Sequence, residues 1–319
     1  MKPDHVRTPI PFVAASDYTQ TNAWVQALQQ AMPDERIVAF DRLSENEKQS
    51  VTVAIVANPD PANLRQLPEL KWVHSVWAGV ERLVADLGQS KLKIVRLVDP
   101  QLAETMAEAV LAWTLYLHRE MPAYARQQKN SQWLAREYIR PQSKTISLLG
   151  LGALGETAAK RLLAAGFQVC GWSRSQKNIA GVDCFSGESG LSAMFARTSI
   201  LVCLLPLTPD TRGLLNTARL TQLPKGASLV NFARGAIVQD ADLQDALNTQ
   251  HLQHAVLDVF ETEPLPIASW HWQHPQVTVL PHISAPTDKQ TASAIVAGNI
   301  RRYRDDGSLP VLVDVAKGY

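Results

Sequence analysis

Between residues 150 and 155 the chain reads Gly150-Leu151-Gly152-Ala153-Leu154-Gly155, preceded by the apolar run Lys144-Thr145-Ile146-Ser147-Leu148-Leu149 and followed by a helical stretch, Glu156 to Ala165. Glycines at that spacing, between strand and helix, suit a dinucleotide. Gly150 permits the tight turn, Gly152 lets the backbone approach a pyrophosphate, and Gly155 allows close helix–strand packing. The helix N-terminus offers its unpaired N–H groups to the anion. About twenty residues on, where an acid would accept the ribose 2′-hydroxyl, stands Ser173-Arg174-Ser175-Gln176-Lys177. A carboxylate would repel a 2′-phosphate, whereas the Arg174 guanidinium can bind it in a bidentate pair and the Lys177 ammonium can add to this. NADPH is the preferred cofactor on this reading, with NADH possible.

Three further segments stand at the ends of predicted strands: Asn231-Phe232-Ala233-Arg234-Gly235, Asp258-Val259-Phe260-Glu261-Thr262-Glu263-Pro264 and Pro281-His282-Ile283-Ser284. Ligands of open α/β sheets bind at the carboxyl ends of strands, so all three can converge beside the cofactor.

The elements needed to hold them are legible in the hydrophobic pattern. Up to residue 98, β-rich runs (Ile10 to Ala15, Arg36 to Phe40, Val51 to Ala57, Leu70 to Val76, Lys93 to Val98) alternate with helical segments such as Asn22 to Ala31. Leu102, Met106, Ala109, Val110, Trp113 and Leu117 then mark one face of a long helix behind Asp99-Pro100. A second βα series starts at Lys144 and continues through Phe167 to Gly171, Ser199 to Leu205, Ala227 to Asn231, Ala255 to Val259 and Val277 to Leu280. At least six strands describe a doubly wound sheet. The expected fold is α/β, with two Rossmann-like or flavodoxin-like parallel-sheet domains. A nucleotide domain, 99–286, is inserted into a substrate domain formed by 1–98 plus 287–319, to which a helix over Asp288 to Arg304 returns.

Bulk properties exclude other classes. The 319 residues carry 31 basic and 30 acidic side chains, a formal charge of +1, which gives no field to recruit nucleic acid or an anionic membrane. No apolar run approaches the length of a bilayer span, and the Ile10 to Ala15 run is too short for a secretory h-region. A cytoplasmic enzyme is expected. Cys170, Cys184 and Cys203 are widely spaced and read as buried structural thiols. His251 and His254 stand three apart, as do His271 and His274, but no cysteine or carboxylate cluster completes a shell, so no metal is expected.

With the glycine fingerprint before them, the three strand-end segments resemble the Asn-x-x-Arg-Gly, Asp-Val-Phe-x-x-Glu-Pro and Pro-His-Ile motifs of the D-isomer-specific 2-hydroxyacid dehydrogenases. Order and spacing agree over residues 72 to 286. Within that family the sequence is similar to the bacterial glyoxylate/hydroxypyruvate reductase A group in Trp172-Ser173-Arg174, in Leu204-Leu205-Pro206-Leu207-Thr208-Pro209, in Pro264-Leu265-Pro266, in Trp272-Gln273-His274-Pro275 and in the terminal Gly318-Tyr319. The resemblance implies NADPH-dependent reduction of small 2-oxoacids, with glyoxylate and hydroxypyruvate the first candidates. Arg234 would bind and polarise the oxoacid, Glu263 would partner His282, and His282 would supply the proton. Backbone N–H groups around Ala78, Gly79 and Val80 would hold the substrate carboxylate. Cofactor contacts are expected from Gly150, Gly152, Ala153, Leu154 and Gly155, from Ser173, Arg174 and Lys177, and from Leu205, Pro206, Thr211, Phe232, Ala233 and Asp258.

That chemistry asks for these residue types. Negative charge develops on the carbonyl oxygen as hydride reaches C2, so a group charged near neutral pH must deliver a proton there. A carboxylate at Glu263 favours the imidazolium and raises the His282 pKa. Arg234 stays protonated and serves as electrophile and carboxylate clamp. Trp77, just before the carboxylate loop, departs from the family pattern and bears on substrate size. Trp113, Tyr116 and Tyr124 suit core or dimer packing. A homodimer is implied through the Gln101 to Arg140 region, where Trp133 would either anchor the interface or reach the neighbouring subunit's active site. Formate dehydrogenases of the superfamily carry glutamine where Glu263 stands, and many phosphoglycerate dehydrogenases carry a further C-terminal regulatory domain. A cofactor-sensing binding protein with the same fold is the alternative outside enzymes.

Overall fold

A computed structural model describes residues 8–315; the Gly318-Tyr319 pair lies outside the described residues. The chain divides into two compact units. One runs to Gln101 and resumes at Thr287, and the other is Leu102–Pro286.

In the first unit, β1 (Ile10–Ala14), β2 (Ile37–Ala39), β3 (Val53–Ala57), β4 (Trp72–Ser75) and β5 (Lys93–Val95) form a parallel sheet in the order β2-β1-β3-β4-β5. This is the flavodoxin-like order. Strand β3 is buried along its whole length, as a parallel strand covered on both faces must be. One face packs Phe12, Ile55 and Trp72 against Trp24 and Leu28 of the helix Thr21–Ala31 and against Ala292, Val296 and Ile300 of the helix Lys289–Asp306. That last helix begins where the Asp288 carboxylate accepts the N–H groups of Gln290 and Thr291, and it ends at Gly307 in the left-handed region.

In the second unit, β6 (Thr145–Leu149), β7 (Gln168–Trp172), β8 (Val182–Phe185), β9 (Ile200–Cys203), β10 (Ala227–Asn231), β11 (Leu252–Leu257) and β12 (Val277–Val279) form a seven-stranded parallel sheet, ordered β12-β11-β10-β9-β6-β7-β8. The expected α/β fold is what the structure contains. The sheet has one strand more than the sequence pattern marks: β8 is an edge strand of half-buried residues, with no clean apolar alternation to read. Met106, Ala107, Val110 and Leu117 of the helix Pro100–His118 close one face against Ile146 and Leu148, while Phe195, Leu229 and Leu243 fill the other. Strand order reverses between β6 and β9, which puts the ligand-binding crevice of such a sheet at the residues just past Leu149 and Cys203.

Candidate active site

The switch point carries the glycine turn. Gly150 leaves β6 with φ +108° and donates its N–H to the Trp172 carbonyl. A Cβ on Gly155 would stand 1.8 Å from the Gly150 carbonyl oxygen, so only glycine lets the helix Ala153–Ala164 start this close to the strand. At Gly152, the N-cap, an added Cβ would meet nothing within 4 Å. Its surface is free for a ligand, and the donors of the first helical turn, Ala153 and Leu154 among them, lie beside it. The turn fits a pyrophosphate in both respects.

At the end of β7, Ser173 is fixed by its N–H to the Phe185 carbonyl and by its hydroxyl to the Ser175 carbonyl. Arg174 and Lys177 are exposed on this loop. The Lys177 charge reaches the first turn of the glycine-led helix, where it helps Lys160 hold the Glu156 carboxyl below its ordinary range. The loop after β9 is shaped by Thr211, whose hydroxyl donates to the Pro206 carbonyl and accepts the Thr208 N–H. Leu205, Phe232 and Ala233 are buried.

Beyond β10, the Asn231 side chain clamps the turn: its Oδ1 accepts the Ala233 N–H and its Nδ2 donates to the Arg234 carbonyl. The partly exposed Arg234 guanidinium donates to the Ala233 carbonyl at 2.6 Å. Gly235 packs so tightly on the next segment that a Cβ there would lie 2.0 Å from the Phe260 carbonyl carbon. The arginine turn and the glutamate segment are therefore one unit.

Glu263 accepts the Phe260 N–H on Oε1 at 2.9 Å and approaches His282 Nδ1 with Oε2 at 2.8 Å. Buried Asp258, after β11, accepts the N–H groups of Ile283 and Ser284 on its two oxygens. Those bonds hold the turn in which His282 adopts φ 54°, a left-handed conformation that a non-glycine residue keeps only when its surroundings impose it. The His282 side chain is 54% exposed, which leaves Nε2 accessible while Nδ1 faces the carboxylate. The Glu263 hydrogen bond raises the His282 pKa; burial and the Arg234 charge oppose it, while the charges of Glu263 and Asp258 add to it. For Glu263, burial pushes the carboxyl up, but the bonds from His282 and Phe260 outweigh it and hold the pKa below the ordinary value. Both shifts favour the charged pair, imidazolium and carboxylate.

Sequence reasoning names Arg234, Glu263 and His282, and the second unit brings all three to neighbouring strand ends. It misses the clamp by Asn231 and the support that Asp258 gives the histidine turn. The signal for Asn231 lies in the Asn-x-x-Arg-Gly spacing, since a side-chain amide two or three residues back can cap such a turn.

In the first unit, Ala78, Gly79 and Val80 follow β4, and their N–H groups donate to no described residue. The Trp77 N–H is held by Ser75 Oγ at 3.0 Å. Its ring packs edge-on against Tyr18 and Trp24.

The four paired histidines have other partners: His251 the Leu220 carbonyl, His254 Thr278, His271 Ser269 and His274 Asn248. Burial holds His254 at about 4. Among the described residues no group of three His, Cys, Asp or Glu could hold a metal. Cys170 and Cys203 are buried, Cys184 is partly exposed, and all are free thiols.

A doubly wound sheet with a glycine turn at its switch point defines a dinucleotide-binding domain. Residues 111–284 match the D-isomer specific 2-hydroxyacid dehydrogenase, NAD binding domain, and the chain belongs to this family of oxidoreductases. Glyoxylate/hydroxypyruvate reductase A of Yersinia enterocolitica is 36% identical over 309 residues, covering 95% of this chain and 97% of that protein. A D-isomer specific 2-hydroxyacid dehydrogenase from Xanthobacter autotrophicus Py2, solved with NADPH and MES, is 38% identical with a TM-score of 0.91, over 98% of this chain and 99% of that one. The NADPH-dependent glyoxylate/hydroxypyruvate reductase SmGhrA of Sinorhizobium meliloti, solved with NADP and sulfate, is 33% identical with a TM-score of 0.88, over 97% and 100%.

Proposed function

We propose that this protein reduces small 2-oxoacids with NADPH, glyoxylate to glycolate and hydroxypyruvate to D-glycerate, with His282 as the proton donor. The observation that carries the reading is the His282–Glu263 pair at 2.8 Å, whose histidine pKa is raised toward the charged form that reduction consumes. The relatives' names support the substrate class.

When bound, NADPH supplies the hydride. The 150–155 turn holds its pyrophosphate, and Arg174 with Lys177 binds the 2′-phosphate. Further cofactor contacts come from Leu205, Pro206, Phe232 and Ala233, with Thr211 and Asp258 completing the site. Arg234 holds the 2-oxoacid and draws charge toward its carbonyl oxygen, and the free N–H groups of Ala78, Gly79 and Val80 take its carboxylate. His282 then gives its Nε2 proton to that oxygen, and Glu263 steadies the ring and its charge. The substrate domain is 1–98 plus 287–319 and the nucleotide domain is 99–286. Trp77, just before the carboxylate loop, bears on the size of substrate accepted.

Loss of NADPH absorbance on adding glyoxylate, hydroxypyruvate, pyruvate or phosphohydroxypyruvate tests the reading. Turnover is expected with the first two. No oxidation with any of them would leave a cofactor-binding module instead of an enzyme.

The chain forms a homodimer through 101–140, on this reading. Trp133, Leu134 and Tyr138 are exposed there on an irregular stretch, and apolar side chains grouped at a surface mark interaction sites. A light-scattering mass of two chains checks it, and a mass of one counts against it. Three free thiols suit a reducing compartment, and among the described residues no helix is long and apolar enough to cross a membrane. Both fit a cytoplasmic enzyme.

A further inference from the structure

The first unit holds a cavity of about 620 Å³ at the N-terminal edge of its sheet, where β4 and β5 begin. The carboxylate loop 78–80 follows the opposite end of β4. Leu64, Leu67, Leu87 and the Tyr303 ring give the cavity an apolar floor. Its rim carries Arg65, Lys71, Lys91 and Lys93, and no aspartate or glutamate lines it. None of these four cations has a hydrogen-bond or ion-pair partner among the described residues. Backbone pairing sets two of these residues on adjacent strand ends: the Lys71 N–H donates to the Thr52 carbonyl, and the Lys93 N–H to the Lys71 carbonyl. Trp72, next to Lys71 in sequence and the register partner of Lys93, is fully buried and lines the cavity, and its indole Nε1–H has no acceptor among the described residues.

Four uncompensated cations around one opening repel each other, and a buried donor without an acceptor is rare in native proteins. An anion at the rim relieves the repulsion among the cations. The floor is apolar, so a bare phosphate or sulfate would leave most of the cavity unfilled, and the volume lies inside the roughly 300–1,000 Å³ of small-molecule sites. We infer that this cavity is a second ligand site, separate from the 2-oxoacid chemistry, that takes a small carboxylic acid with an aromatic or alkyl body. The carboxylate sits among Lys71, Lys93 and their neighbours, and the body fills the leucine-lined floor.

Calorimetric titration of the full-length protein with 1-naphthylacetate tests this, because that acid has no 2-oxo group to reduce. One saturable site is expected, kept in His282→Ala and weakened at least tenfold in Lys71→Glu/Lys93→Glu with an unchanged melting temperature. The isosteric 1-naphthylacetamide should bind more weakly and 1-naphthylmethylammonium weakest. The Trp72 indole N–H resonance, assigned through Trp72→Phe, should shift on adding the acid. Absence of saturable binding, equal affinity for the three analogues, or an undiminished affinity after charge reversal overturns the site. Should the double variant fail to fold, Lys91→Glu alone is expected to weaken binding, and parental affinity there overturns it equally.

Discussion

His282 Nδ1 rests 2.8 Å from Glu263 Oε2 across nineteen residues of sequence, and the other oxygen of the same carboxylate is pinned by the Phe260 N–H at 2.9 Å. The carboxylate is thus oriented before any substrate arrives. Its direct hydrogen bond is the largest influence on the histidine and raises its pKa. Reduction needs imidazolium, so its rate holds below that raised pKa and falls as pH rises through it; oxidation of the hydroxyacid needs neutral imidazole and runs the other way. Glu263→Gln keeps the shape and removes the charge, so the basic limb of the reductive kcat/KM profile should move to lower pH. A superimposable profile in the variant would show that Glu263 does not set the proton donor's charge.

Removing the donor itself is a harsher test. His282→Ala should lower the reductive kcat by about 10²–10⁴, the usual contribution of a positioned acid, while NADPH binding, followed by its fluorescence, stays near the parental value. The side chain lies past β12 and contributes nothing to the cofactor turn at β6. Equal turnover in variant and parent would remove His282 from the reaction.

The last two glycines of the cofactor turn, Gly152 and Gly155, should separate folding from binding. Gly155→Ala forces a Cβ to 1.8 Å from the Gly150 carbonyl oxygen, backbone that cannot step aside, and overpacking of this kind costs about 1–3 kcal/mol. A lowered melting temperature is expected. Gly152 has an extended backbone, and its added Cβ meets nothing within 4 Å. Gly152→Ala should therefore melt like the parent yet raise the KM for NADPH, because the methyl takes the space where the pyrophosphate approaches. A Gly152→Ala protein with parental KM would mean that the phosphates bind elsewhere.

Those glycines also mark how far sequence carries the fold. Strands buried on both faces, such as β3 and β6, announce themselves as continuous apolar runs, and the glycine turn is legible from context alone. The edges are not. Strand β8 is Val182-Asp183-Cys184-Phe185, half in solvent, with too little alternation to separate it from a loop. β5 ends at Val95 although the β-rich run reaches Val98, because Leu97 pairs back to the Trp77 carbonyl instead of extending the ladder. At the site, residue types reveal Arg234, Glu263 and His282, but the distances come from packing that no motif encodes: Gly235 against Phe260, and Asp258 gripping Ile283 and Ser284. Asp258 reads as a cofactor contact in sequence, and the structure adds that both its oxygens brace the histidine turn.

Cofactor preference rests on the loop after β7, where no carboxylate stands and Arg174 is exposed beside Ser173. A guanidinium on a 2′-phosphate makes charge-assisted bonds worth about 1.5–3 kcal/mol, which converts to roughly 10–150-fold in affinity. NADH has no 2′-phosphate and gains nothing from the same side chain. Arg174→Ala should therefore raise the KM for NADPH by about that factor and leave the KM for NADH nearly unchanged, and Lys177→Ala should act in the same direction more weakly, since an ammonium binds phosphate as a point charge. Steady-state kinetics with both cofactors and one saturating oxoacid measures the ratio. Because Ser173 is anchored through its own bonds to Phe185 and Ser175, the loop should keep its shape in both variants, so that a parental NADPH preference in Arg174→Ala would place the 2′-phosphate on other groups.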